Sequence, residues 1–573
     1  MLHELCTSRG EAVGEIPWNV HPRPQMKRDA WMNLNGEWEF TVSQTKPERY
    51  DRVIRVPYCP ESQLSGIGQH FPEGMPLWYC RTVYAEDLPE GWEQGRVLLH
   101  FGAVDQIADV FVNDVKVCHH EGGYEAFSVD ITGEMREYVS GFRIEVRCTD
   151  DLREQKFPYG KQVLPEKRGG MWYTPVSGIW QTVWLEFVPD DYIKWMEIWP
   201  TVHGVRIDVP GFRGGRVTVK GLGEFPLVKG TAVIEPENPH MWSPEDPYLY
   251  EFTLESEGDR IESYFALRKL RIEKKGKYPR LCLNGKPYFF HGLLDQGYWP
   301  DGLFTPAAPE CYADDILAMK RLGFNTLRKH IKVEPEEFYY QCDKLGMIVW
   351  QDMVNNSDYN FIRDTALPTV GIQKLDDRGL HKDEGSRKEF LREAEATVSQ
   401  LRNHPSICYW TVFNEAWGQF DSDSVYDRFR SWDDTRFIDT TSGWFRREKT
   451  DVDSRHVYFR KVKLTGDGIK PLVLSEFGGK TYKAEGHIFN PDKTYGYGGC
   501  DTLEALNEAV RKLYMEEVLP CVEKGLCAAI YTQVSDVEDE INGLLTYDRK
   551  VCKLQPETML PVAEALQKAI REK

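Results

Sequence analysis

Along the first 190 residues, apolar and polar positions alternate in short runs, as in RVLLHFGAVDQIADVFVNDVKV (96–117) and FRIEVRCT (142–149). A period of two marks strands with one buried face. In DVFVNDVKV, Val110, Val112 and Val115 flank Asn113-Asp114, a pair that tolerates the backbone of a two-residue hairpin turn. Many short strands punctuated by Gly, Asn and Asp predict a β-sandwich of jelly-roll type over 1–190. The pattern continues through 191–274 in IKWMEIWPTV, VRIDV, RVTVKG and YLYEFTLES. That length predicts a small immunoglobulin-like sandwich, short for a full seven strands.

After about residue 275 the periodicity changes. YFFHGLL (288–294) is an apolar strand, and in CYADDILAMKRLG (311–323) Ala313, Ile316, Leu317 and Lys320 recur at helical spacing before Gly323. Strand FNTLRKH (324–330), helix EPEEFYYQCDKLG (334–346) and strand MIVWQDM (347–353) follow. Helix 386–404, strands 407–415 and 471–479, helix 503–518 and strand 526–534 extend the alternation. Strand–helix alternation is the mark of βαβ units, and roughly 300 residues suits a (β/α)8 TIM barrel over 275–573. The predicted fold class is therefore multidomain, two β-sandwiches followed by an α/β barrel. The irregular stretch 355–385 follows the third strand and would lie over the C-terminal face, where long loops shape a pocket.

Two barrel strands end in a single carboxylate: TVFNEAWGQF (411–420) carries Glu415 and PLVLSEFGGK (471–480) carries Glu476, 61 residues later. Parallel barrels present chemistry at strand C-termini. Two carboxylates brought together there are what glycoside hydrolysis uses, one as acid and one facing the anomeric carbon. Either Glu alone would read more readily as a helix cap or a partner of an Arg; two in matching contexts turn the balance toward chemistry. Other polar residues end candidate strands: Arg328 and His330 the second, Asp352 the third, Asn414 beside Glu415, and Gln533 and Asp536 the last. Tyr458, in SRHVYFRKV, lies between the two glutamates. Arg328 and Tyr458 could hold a carboxylate ionised and oriented; Arg328 and Asp352 could equally be an ion pair supporting the rim.

Composition narrows the partners. A formal charge of −19 argues against a nucleic-acid partner, which needs a basic surface. The 17 Trp, 28 Tyr and 27 Phe suit sugar platforms but also large β-rich cores. Thirteen Cys without CxxC pairs predict reduced thiols rather than a disulfide framework or zinc site. No apolar stretch approaches a membrane span of about 20 residues, and MLHELCTSRGEAVGEIPW lacks a signal-peptide core. The expectation is a cytoplasmic protein that contacts no membrane, with no metal and no cofactor.

These motifs together resemble glycoside hydrolase family 2, the β-galactosidase, β-glucuronidase and β-mannosidase family. WMNLNGEWEF (31–40) is similar to the start of the family's sugar-binding jelly roll, and SGIWQTVWLE (177–186) to its close. LNGKPYFFHG (283–292), GFNTLRKH (323–330) and CDKLGMIVWQD (342–352) resemble the first three barrel strands, FNEAWG the acid/base segment and SEFGG the nucleophile segment. The resemblance implies Glu415 as acid/base, Glu476 as nucleophile and Asn414 on the sugar 2-hydroxyl, in an exo-acting retaining β-glycosidase. β-Galactosidase is the first expectation. A β-glucuronidase, β-galacturonidase or β-mannosidase is the alternative, as is a non-catalytic carbohydrate-binding protein. Arg328, Asp352, Tyr458, His330, Asp295 and Gln533 are the expected substrate-binding set. The chain reads Arg328-Lys329-His330 where relatives have Arg-x-Ser-His, and Leu294-Asp295-Gln296 where many have Arg-His-Glu. The Asn-x-Lys with which β-glucuronidases bind the uronate carboxylate has its nearest match downstream of the nucleophile in Asn490-Pro491-Asp492-Lys493, with different spacing, while Asn284-Gly285-Lys286 has the right letters but lies in the barrel-entry motif. Relatives commonly form dimers or tetramers, so a homo-oligomer is compatible with the resemblance.

Overall fold

The computed structural model describes residues 2–136, 140–355, 359–369, 371–372 and 376–572. Near the N-terminus a six-stranded antiparallel sheet (Arg52–Val56, Gly36–Val42, Leu77–Tyr84, Gly141–Thr149, Ile107–Val112, Val115–Glu121, in spatial order) faces a four-stranded one. Trp38, Phe40, Ile54, Leu99, Val110, Ile144 and Leu185 fill the space between them. Asn113 and Asp114 both take positive φ, 47° and 69°, so the hairpin turns where the sequence predicts it. Between Gly141–Thr149 and Val183–Val188 the chain makes a long excursion that reaches the barrel. Nothing in the hydrophobic pattern announces it.

A further sheet holds seven strands, from Glu197–Pro200 to Asp259–Phe265, wrapped around Ile207, Val217, Leu227, Leu254 and Ile261. The expectation of fewer than seven strands is therefore corrected: most have only four to six residues, short enough to fit the length. Arg28 ties the two β-rich regions, donating to Glu186 at 3.2 Å and to Asp259 at 2.7 Å.

Eight parallel strands follow among the described residues: β1 (Phe290–Asp295), β2 (Thr326–Lys329), β3 (Ile348–Asp352), β4 (Ile407–Asn414), β5 (Phe437–Ser442), β6 (Asp453–Val457), β7 (Leu472–Phe477) and β8 (Leu526–Thr532). Their order is β5-β4-β3-β2-β1-β8-β7-β6, and every residue of β4, β7 and β8 is buried. Unbroken burial is what strands covered on both faces require. Between β5 and β6 the ring is joined by side chains, Ser442 Oγ lying 3.3 Å from Ser454 Oγ and 3.1 Å from His456 Nε2. Helices Glu310–Arg321, Glu336–Leu345, Glu384–Leu401 and Ser422–Trp432 lie between strands. The helix Glu336–Leu345 stops at Gly346 (φ 73°), where a Cβ would come within 2.6 Å of the Pro244 carbonyl oxygen. All thirteen cysteines are free, and no described helix is long and apolar enough to cross a membrane.

Candidate active site

The C-terminal ends of β3, β4 and β7 converge on one guanidinium, carried by β2. Arg328, in β2, is fully buried and has four acceptors. Its Nε donates to Asp352 Oδ1 at 2.9 Å, Nη1 to Glu476 Oε1 at 3.0 Å and the Ser475 carbonyl at 2.9 Å, and Nη2 to Asn414 Oδ1 at 2.9 Å. An arginine has donors only, so it fixes the Asn414 amide with Oδ1 toward the arginine and Nδ2 left to donate elsewhere. Asp352 also accepts from His330 Nδ1 at 2.8 Å. Burial pushes the His330 imidazole down to about 4, which keeps it neutral with Nε2 as a free acceptor.

Glu476 sits near the end of β7. Its Oε2 accepts from the Tyr458 hydroxyl at 2.5 Å, and the Tyr458 ring stacks on Tyr497 with centroids 4.2 Å apart. Burial alone would raise the Glu476 carboxyl. The neighbouring His456 and Arg328 and the Tyr458 hydrogen bond outweigh it and pull the pKa down to about 2.

Glu415 follows β4 in an unusual turn: Glu415 and Ala416 both take positive φ, 50° and 66°. Such backbone costs about 1–3 kcal/mol per residue and persists only where its surroundings impose it. Here the Glu415 amide donates to the Ser442 carbonyl at 2.9 Å and the Trp417 amide to the Asn414 carbonyl at 2.8 Å. The turn carries the Glu415 side chain toward β6, where Oε1 lies 2.7 Å from His456 Nδ1. Burial first, and the negative charge of Glu476 second, raise the Glu415 carboxyl, while His456 moderates the rise. The two glutamates thus lie side by side with pKa values pushed in opposite directions, the electrostatic pattern of an acid beside a nucleophile.

Glu415, His456 and Glu476 each place one ligand atom within 4.8 Å of the others. That is the one grouping among the described residues spaced to hold a metal ion. Both oxygens of Glu476 already have donors, from Arg328 and Tyr458. Proton and sugar chemistry suit the trio better than a resident cation.

Of the sequence-derived residues, Glu415, Glu476, Asn414, Arg328, Asp352, His330 and Tyr458 form this one network. Asp295 and Gln533 stand apart from it. Asp295 pairs with Lys329 at 2.6 Å and accepts from the Gly297 amide, and Gln533 is buried between Gln296 and Asn542. Asn490 donates to Asp539 at 2.8 Å, and Lys493 is exposed. From 355–385, Tyr359 packs edge-on against Trp417 and Trp172; residues 356–358, 370 and 373–375 lie outside the described set.

Sequence reasoning missed His456, Trp417, Trp172 and Lys161. His456 had a usable signal, two residues before Tyr458 and so on the same strand face. The register of β6 on β7 shifts just before His456, which pairs with Glu476; such irregularities re-aim side chains beside active sites.

The description "Glycosyl hydrolases family 2, TIM barrel domain" fits residues 275–550, and "Glycosyl hydrolases family 2" fits residues 205–268. The chain belongs to glycosyl hydrolases family 2. It is 24% identical to a β-glucuronidase of Bacteroides fragilis over 67% of this chain and 56% of that one. To a β-galactosidase of Thermoanaerobacter pseudethanolicus it is 25% identical over 68% of this chain and 51% of that one. The alignments thus span about half the length of these family 2 relatives. Among solved structures, a β-glucuronidase from Dictyoglomus thermophilum superposes with a TM-score of 0.72, 18% identity and coverage of 95% and 98%. A family 2 β-galacturonidase from Eisenbergiella tayi superposes with a TM-score of 0.66, 18% identity and coverage of 97% and 99%. At that identity the superpositions establish the fold, a multidomain β-rich chain ending in a barrel.

Proposed function

We propose that the protein is an exo-acting retaining β-glycosidase, with Glu476 as nucleophile and Glu415 as acid/base. The observation that carries this reading is the pair itself. An oxygen of each carboxylate lies within 4.8 Å of the other, a proximity that suits the roughly 5–5.5 Å between carboxyls in retaining sites better than the roughly 6.5–9.5 Å that admits an inverting water. The pKa directions support the same division of labour.

In the first step a Glu476 oxygen bonds to the anomeric carbon as the glycosidic C–O bond breaks. The proton of Glu415 passes to the departing oxygen, which leaves as an alcohol. Glu415, now a carboxylate, takes a proton from water; the water oxygen bonds to the anomeric carbon and frees Glu476. Arg328 and Tyr458 hold Glu476 ionised and oriented, and the Asn414 Nδ2 left free by Arg328 is placed to donate to the sugar 2-hydroxyl. Trp172 and Tyr359 pack over Trp417 at the barrel end, an enclosure that favours a terminal sugar.

On the glycone, β-galactosidase was the first expectation from the sequence. Relatives named β-glucuronidase and β-galacturonidase give the uronide alternative at least equal support. A panel of nitrophenyl β-glycosides, with the first-formed anomer followed by NMR, tests the reading. A β-product from at least one of them is expected. An α-product, or binding without turnover of any, would contradict it and leave a carbohydrate-binding protein.

A further inference from the structure

The excursion of the N-terminal sandwich brings Lys161 to the site. Gly160 makes the approach possible: its φ is 66°, its amide donates to the Asn355 carbonyl at 2.8 Å, and a Cβ there would come within 2.9 Å of the Ile331 carbonyl oxygen. The Lys161 carbonyl accepts from the Tyr173 amide at 3.1 Å, and the Gln162 side chain is anchored on Asp105 at 2.9 Å. Lys161 is therefore held at both ends, with only 6% of its surface exposed. Its ammonium lies 4.6 Å from the centre of the Trp417 ring, two residues past Glu415, and 5.7 Å from that of Trp172.

What sets this lysine apart is its lack of an anion. Lys329 pairs with Asp295 and Glu334, Lys332 with Glu334, and Arg328 with Asp352 and Glu476. The Lys161 ammonium, also buried, makes no hydrogen bond or ion pair among the described residues. Two aromatic faces attract its charge but do not replace a carboxylate. A dry ammonium without a bound anion is costly, and such groups in native structures are paired. Burial accordingly pulls the Lys161 pKa down, while Glu540, Glu476 and Glu415 act on it from beyond hydrogen-bonding distance and hold it up in part. Of these, Glu415 and Glu540 are themselves pushed toward the neutral acid by burial. Among the described residues, then, the Lys161 ammonium has no direct anionic partner.

Resting on the glycosidase reading, we propose that Lys161 determines glycone specificity by binding a carboxylate on the sugar ring, so that the substrate is a β-linked uronic acid. A neutral hydroxymethyl group would fill the space without satisfying the charge. A uronate brings the anion into a preorganised, water-poor setting where a charge-assisted bond is strong. The recognition residue comes from the sandwich and the catalytic pair from the barrel, so both regions are needed for one sugar site.

The test compares nitrophenyl β-glucuronide and β-galacturonide with the neutral β-glucoside and β-galactoside. Wild-type enzyme is expected to prefer a uronide by about 100-fold or more in kcat/KM. Lys161→Met, which keeps the length and removes the charge, is expected to lose about that factor on the uronide, chiefly through KM, with the neutral sugars unchanged or improved. Lys161→Arg should restore part of the uronide activity. An unchanged melting temperature for Lys161→Met excludes misfolding, and the wild-type preference needs no variant. A wild type that cleaves neutral glycosides best, or a variant that loses equally on both classes, overturns the proposal while leaving a retaining glycosidase in place. No turnover of any sugar overturns both readings.

Discussion

His456 Nδ1 lies 2.7 Å from Glu415 Oε1, and His456 Nε2 lies 3.7 Å from Glu476 Oε1, so one imidazole bridges the two carboxylates. It favours the ionised form of both. Removing it should raise both pKa values. The acid limb of a kcat/KM–pH profile reports the free enzyme's Glu476 and the alkaline limb its Glu415. For His456→Asn we expect both limbs to move to higher pH, with kcat down about 10–100-fold. A profile that keeps its limbs while only its height falls would leave His456 a packing residue.

Glu415→Ala should slow substrates with poor leaving groups far more than activated aryl glycosides, since the former need the proton. Azide should rescue the activated substrates by attacking the glycosyl-enzyme without base assistance. Equal slowing of both, with no azide effect, would assign the acid/base role elsewhere.

Arg328→Lys exchanges a planar fork with four acceptors for a point charge that cannot reach them all. Glu476 then loses part of what holds its pKa down, so the acid limb should rise, and kcat/KM should drop about 10³-fold or more. Leaving buried Asp352 or Glu476 uncompensated should cost about 3–5 kcal/mol in denaturant unfolding. Near-normal stability and an unshifted acid limb would show that the network is not organised around this guanidinium.

Gly346→Ala probes the frame rather than the chemistry. The added Cβ meets the Pro244 carbonyl oxygen at 2.6 Å on backbone with φ 73°, so a loss of about 1–3 kcal/mol is expected. kcat should be unchanged. A neutral effect on the unfolding midpoint would mean the contact relaxes freely.

The six barrel strands legible in the sequence are those with apolar runs, such as LCAAIYT in β8. β5 (FIDTTS) and β6 (DSRHV) escaped because their buried positions are polar: Asp439, Ser442, Ser454 and His456 face one another where the ring closes without a ladder. The carboxylates and Arg328 were legible because each sits at or just past a strand end, where position alone points to the site; Tyr458 was singled out by lying between the two glutamates. Lys161 and Trp172 were not, because they reach the barrel from a region whose alternation reports only its own core. Asp295 carries the right letter at a strand end, yet its partner is Lys329, one strand over; strand position does not tell which charge a carboxylate answers.

The most direct test of the catalytic assignment is to trap the intermediate with a 2-fluoro β-glycoside of the preferred sugar and locate the label by peptide mass spectrometry. The account predicts stoichiometric labelling of Glu476, none in Glu476→Gln, and slow reactivation as water releases the sugar. Label on any other residue, or inactivation without a covalent adduct, would contradict it.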